Sequence, residues 1–124
     1  MARILTLAAL IVTLSMATAA QASDPAKGKS VFGSQCAICH AVTSHSPSGI
    51  GPNLFGVVGR KAGSLPGYSY SNAMNAAATV WTEARLKAYI ASPAQNIAGN
   101  KMPFPGLKNL TQVDDLTAYL ATLK

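Results

Sequence analysis

Two cysteines stand three positions apart, Cys36 and Cys39, and a histidine, His40, follows the second at once. They are the only two cysteines in the 124 residues, so their spacing decides what the chain can be built around. A disulfide between them would close a very short loop. Cross-link stabilisation grows with loop length, so the pair explains little as a staple. A dithiol redox pair of this spacing belongs in a βαβ setting. No strand alternation accompanies it here. A structural zinc site needs four ligands at suitable spacing. The chain has two histidines, His40 and His45, and one of them is adjacent to Cys39. C-x-x-C-H is the remaining pattern, the signature of covalent haem attachment. Two thiols add across the two vinyl groups of the haem, and the adjacent imidazole offers an axial nitrogen to the iron.

The N-terminus reads as an export signal. Arg3 is followed by an apolar run, Ile4 to Leu14, broken only by Thr6 and Thr13, and then by small residues ending in Ala20-Gln21-Ala22. A positive start, a short apolar stretch and an A-x-A site predict cleavage after Ala22. Residues 1–22 are then a secretory signal peptide and residues 23–124 a single domain of about 102 residues. The apolar stretch is short against the roughly 20 residues of a membrane span, so no stable span is expected after cleavage. Export of this kind places the mature chain in a periplasm. The formal net charge is +6 with only 11% of residues charged, and the Lys and Arg are scattered. Nucleic-acid binding needs them clustered on one face, which sets that class aside. A mildly cationic surface for docking acidic proteins fits better.

The mature chain reads as all-α: about five helices joined by long loops wrapped around one covalent haem. Asp24-Pro25, after Ser23, is a helix start that should run to about Cys36–His40. Ser71 caps a short helix to Ala77. Thr82, with Glu83 in the first turn, caps one to about Ala91. Ser92-Pro93 restarts a short one. Thr111, with Asp114 three later, opens the last. Val113, Leu116, Leu120 and Leu123 recur on one face of that last helix and should pack on the first near Gly28. The segments 41–66 and 99–107 are Gly/Pro-rich and should be loop. A loop of the first kind is unusual inside a compact domain, and so few apolar elements make a thin core. A large buried cofactor would supply the missing interior.

The sixth ligand of such an iron must come from elsewhere, and Met74, Met102 and His45 are the candidates. His45 lies in a Ser/Gly/Pro loop, where a solvated side chain is the plainer reading. Met102 lies in a loop well removed from His40, free to cross to the far haem face. Met74 lies in a short helix without that freedom.

Taken together, several segments resemble the class I cytochromes c, the mitochondrial type and its bacterial relatives. They are Cys36-Ala-Ile-Cys39-His40, Gly51-Pro52-Asn53-Leu54 with Gly56, Gly59-Arg60, Pro66-Gly67-Tyr68-Ser69-Tyr70, Trp81, Tyr89, Lys101-Met102-Pro103-Phe104 and Leu116-Thr117-Ala118-Tyr119-Leu120. The likeness covers nearly all of the mature chain in order. It implies thioether links at Cys36 and Cys39, iron ligation by His40 and Met102, and a Pro52 carbonyl accepting the His40 ring N–H. It implies further that Arg60, Tyr70 and Trp81 hold the haem propionates, that Tyr89 lies near the Met102 sulfur and that Phe104 covers a haem face. Gly28, Phe32, Leu116 and Tyr119 would join the terminal helices. The chain departs from its relatives at Asn100, where many carry Thr, with a propionate contact through the amide still implied. It departs again at Met74, where Asn is common. Gln35, Gly49, Ala94 and Gln95 stand where the mitochondrial proteins carry lysines, while Lys101 and Lys108 remain.

The function implied is that of a monomeric electron carrier, not an enzyme. Its donor would be a cytochrome bc complex or a periplasmic dehydrogenase, and its acceptor an oxidase, reaction centre or reductase. With fewer lysines, docking should be less salt-sensitive and more apolar. The competing readings are a haem subunit held permanently by a dehydrogenase, and a peroxidase or gas-ligand sensor in which Met102 is labile.

Overall fold

A computed structural model describes residues 20–124, together with residues 15 and 17. The expected signal peptide over 1–22 therefore lies outside the described residues except at 15, 17 and 20–22. Among the described residues no helix is long and apolar enough to cross a membrane. Five helices follow in order: α1 Pro25–Gln35, α2 Asn72–Ala76, α3 Glu83–Ala91, α4 Pro93–Asn96 and α5 Leu110–Ala121. Strand pairing among these residues is confined to a single antiparallel bridge between Lys61 and Val80.

Each longer helix starts where a side-chain oxygen can take an orphan N–H of the first turn. Asp24 accepts from Ala26 and Lys27 at 2.9 and 3.3 Å, with Pro25 leading α1. Ser71 accepts from Met74 at 3.1 Å and Thr82 from Arg85 at 3.2 Å. The last helix corrects the sequence reading. Asn109, not Thr111, is its cap, accepting from Gln112 at 3.1 Å, so α5 begins before the expected capping box. Asn in the extended conformation reaches the third residue on, and Thr111 is left exposed within the first turn.

The terminal helices carry the framework. Three of the four predicted stripe residues are buried, Val113, Leu116 and Leu120 at 3%, 1% and 2% exposure, while Leu123 lies past the end of α5 and is half-buried; α5 crosses α1 at Gly28. A Cβ at 28 would meet the Asp115 carbonyl and come within 2.8 Å of Tyr119 Cβ, so only glycine lets the two backbones touch. One turn further on, the Phe32 and Tyr119 rings pack at 5.8 Å. Thr117, fully buried, returns its hydroxyl proton to the Val113 carbonyl at 2.8 Å, so the polar atom is satisfied.

The long loop between α1 and α2 is ordered from within. Asn53 is buried, and its amide donates to the carbonyls of Thr43 and Ser46, both at 2.8 Å. Its Oδ1 accepts from Phe55 N–H at 2.9 Å. Beyond it, three backbone bonds tie the loop to the segment before α3. Gly59 N–H donates to the Trp81 carbonyl, Trp81 N–H to that of Arg60, and Ala62 N–H to that of Thr79, each at 2.8 Å. That clamp sets Arg60 and Trp81 side by side.

Candidate functional site

Between the terminal-helix pair and the loops lies an apolar cavity of about 290 Å³, and the sequence-predicted site residues line it. On one wall the chain leaves α1 in a tight turn. Cys39 and His40 N–H groups both donate to the Cys36 carbonyl at 3.0 Å, which turns Cys36, Cys39 and His40 onto the cavity. Both thiols are free. Burial, and then the neighbouring Cys39, push the Cys36 thiol up to about 11.

The His40 ring is seated from behind. Its Nδ1 lies 2.8 Å from the Pro52 carbonyl, which can only accept, so Nδ1 carries the proton and Nε2 is left as the available ligand atom. Burial holds the ring below its usual pKa, the Pro52 bond opposes that, and the Arg60 charge adds to the lowering. A Cβ on Gly51 would stand 2.7 Å from Nδ1, so glycine is needed behind the ring.

Three donors also line the cavity, Arg60, Tyr70 and Trp81, with Trp81 tied to the Arg60 carbonyl through its backbone N–H at 2.8 Å. Arg60 is anchored by an Nη1 bond to the Asn53 carbonyl at 3.0 Å, and burial lowers its pKa while the Tyr70 phenol opposes that. Tyr70 Oη accepts from Leu65 N–H at 3.3 Å, which leaves its proton to donate. Among the described residues neither that hydroxyl nor the indole N–H of Trp81 donates to a protein acceptor. The donors suit an anionic group placed in the cavity, since a buried charge needs such partners.

The remaining wall comes from α3 and the loop after α4. Tyr89 packs on Trp81 with ring centroids 5.0 Å apart, and burial, with a smaller push from Tyr68, raises its phenol to about 12. Met102 and Phe104 line the cavity from loop 99–107. Asn100 lines it as well, but its amide is engaged by backbone, donating to the carbonyls of Pro93 in α4 and Ile97 at its end and accepting from the Met102 N–H. Met74 also lines the cavity, from the short helix α2 in which it was expected. His45 is exposed and lies outside the lining set.

Two features were not anticipated. Asn53 organises the loop that carries Pro52 and Arg60. Its position inside a Gly-Pro-Asn-Leu run was a signal, but nothing local revealed its partners. Tyr68 and Lys101 form a clasp beside the cavity. The Tyr68 hydroxyl donates to the Ile50 carbonyl at 2.9 Å. Lys101 Nζ sits 4.8 Å over the Tyr68 ring and donates to the Ser69 carbonyl. At the rim, Ile38 and Ile50 are 87% and 70% exposed.

The donor set fits a haem: two thiols within one turn of an oriented imidazole, a thioether from a distant loop, and three anion-binding donors in the same lining. The cytochrome c family matches over residues 25–124. Cytochrome c2 of Rhodomicrobium vannielii is 47% identical over 106 residues, spanning 86% of this chain and 84% of that protein. Cytochrome c-550 of Ancylobacter novellus is 45% identical over 101 residues, spanning 79% and 94%. The solved structure of cytochrome cH from Methylobacterium extorquens superimposes with a TM-score of 0.75 at 40% identity, covering 81% of this chain and 99% of that one. The fold and the site define a covalent-haem, helical electron-transfer protein. The chain belongs to the cytochrome c family, with one covalently attached haem c, and it is an electron carrier rather than an enzyme.

Proposed function

We propose that this is an exported, periplasmic one-electron carrier whose haem is linked through Cys36 and Cys39, with the iron held between His40 and Met102. The haem, when bound, supplies the one-electron exchange; the chain orients it, buries it and sets its potential. Pro52 fixes the His40 tautomer, and Arg60, Tyr70 and Trp81 hold the propionates. Tyr89 stands by the Met102 sulfur, and Phe104 closes the cavity beside it. A neutral thioether favours the ferrous state and raises the potential. With His40 and Met102 both holding the iron, no position on it would be left for a substrate, which would favour outer-sphere transfer.

The observation that carries this reading is that His40 and Met102, remote in sequence, line one apolar cavity with both thiols. Electrons would enter and leave at the rim marked by Ile38 and Ile50. The donor would be a cytochrome bc complex or a periplasmic dehydrogenase, and the acceptor an oxidase, reaction centre or reductase. The apolar rim, with Lys101 nearby, favours a short-lived contact of low salt sensitivity over a strongly charge-steered one. The test is Met102→Ala. The variant should keep its covalent haem but lose low-spin His/Met absorption and shift to a lower potential. Unchanged spectra and potential would refute the ligand assignment. Rapid carbon monoxide binding by the reduced wild-type protein would refute the closed-site carrier.

A further inference from the structure

Asn100 stands two residues before Met102, and its side chain makes three hydrogen bonds to backbone. Nδ2 donates to the Pro93 carbonyl at 3.1 Å and to the Ile97 carbonyl at 2.8 Å. Oδ1 accepts from Met102 N–H at 2.9 Å. The Asn100 backbone N–H adds a bond to the same Ile97 carbonyl at 3.1 Å. Pro93 and Ile97 bracket α4, and Pro93 is buried. One amide thus joins α4 to the backbone of Met102, with both of its N–H groups used. Gly99 precedes it with a φ of +85°, so the chain reverses direction at the point where the amide takes hold.

We infer that Asn100 is a positioning residue for the Met102 thioether. It does not bind a haem propionate; it splints loop 99–107 onto α4 so that the sulfur keeps a fixed place in the cavity. The inference rests on Met102 being the distal ligand. A serine or threonine hydroxyl has one proton and could not serve both carbonyls while capping the Met102 N–H, so the three bonds together require the carboxamide. Beside Met102 the other side-chain anchor of this loop, Lys101 on Ser69 and Tyr68, lies at the exposed rim, and the buried Leu107, whose N–H donates to the Ile90 carbonyl at 2.9 Å, lies five residues further on, which leaves Asn100 as the half-buried anchor next to Met102.

The test compares wild type, Asn100→Ala and Asn100→Asp as ferric holoproteins. Imidazole binding must wait for Met102 to leave the iron, so its rate reports how often the loop opens. Losing several backbone bonds should speed imidazole binding about tenfold in Asn100→Ala. Amide exchange at Met102 should accelerate with it. Asn100→Asp retains an acceptor for Met102 N–H but loses both donors, so its Met102 amide should exchange more slowly than in the alanine variant while imidazole binding stays faster than in wild type. An imidazole rate within twofold of wild type in Asn100→Ala would overturn the inference. So would a change confined to the pH dependence of the potential, because that would place the amide on a propionate. Absence of the methionine–iron charge-transfer band in wild type is a different failure. It would remove the ligand assignment itself, and the inference with it.

Discussion

Gly28 and Gly33 share helix α1, and alanine at the two should move stability in opposite directions. In a helix interior alanine is favoured over glycine by about 1 kcal/mol. At Gly33 a new Cβ would meet nothing within 4 Å, so the propensity gain stands alone. Close to the end of the helix it should be roughly 0.5–1 kcal/mol, or about 4 °C for a domain of this size. At Gly28 the Cβ would lie 2.5 Å from the Asp115 carbonyl carbon and 2.8 Å from Tyr119 Cβ. The obstacle is the backbone of α5, which no rotamer change can move. The helices must part by about 1 Å, which loosens Phe32 against Tyr119 and uncovers part of Leu116; overpacking of this kind costs about 1–3 kcal/mol. Added loss of contact outweighs the propensity gain, and the net expectation is about 2 kcal/mol of destabilisation, or a midpoint about 10 °C lower. The assay is guanidinium and thermal unfolding of the ferric protein, followed by far-UV circular dichroism and Soret absorbance, with equal m values required for comparison. A Gly28→Ala midpoint at or above wild type would refute the close-contact argument. So would equal losses at both positions.

Leu116→Ala, at a site 1% exposed between α1 and the cavity, should lose about 3 kcal/mol by the same assay, and a loss under about 1 kcal/mol would mean that the site collapses freely. Cys36→Ala combined with Cys39→Ala should abolish covalent haem and leave a chain with little helical circular dichroism; a stable folded apo-protein would count against a cofactor-filled core. Lys87 and Asp114 pair at 2.9 Å with side chains 39% and 47% exposed. Lys87→Ala should change stability by no more than about 0.5 kcal/mol at physiological salt, and a larger loss would show the pair to be better shielded than its exposure implies.

Helix placement was legible wherever a capping side chain preceded an apolar face. Asp24, Ser71 and Thr82 were readable as starts because cap chemistry is local. The start of α5 was misplaced by two residues because Asn109 and Thr111 are both competent caps, and the choice lies in backbone conformation. The stripe on α5 and its packing at Gly28 followed from helical periodicity, which is also local. The ordering of residues 41–66 was not legible. It depends on Asn53 reaching carbonyls seven and ten residues back, and no residue spacing encodes such reach. At the site, the attachment turn could be read from five consecutive residues. Met102 could not be separated from Met74 by residue type, because both are methionines and both line the cavity; resemblance separated them. Asn100 was readable as a hydrogen-bonding residue, but which groups it bonds depends on where α4 ends.

The meeting of α1 with α5 also governs when this protein can fold. Asp24 N–H bonds to Asp115 Oδ1 across 91 positions at 2.7 Å, and Gly56 N–H closes on the Leu123 carbonyl. The framework therefore cannot form until α5 has been synthesised, and closing so long a span is a late and slow event. A growing chain remains an open thread until then. In the closed form Cys36 is half-buried and its thiol pKa is raised, which disfavours the thiolate needed for bond formation at sulfur. The open thread is thus an interval in which the Cys36 thiol is more reachable, and the stretch of sequence between Cys36 and α5 sets its length.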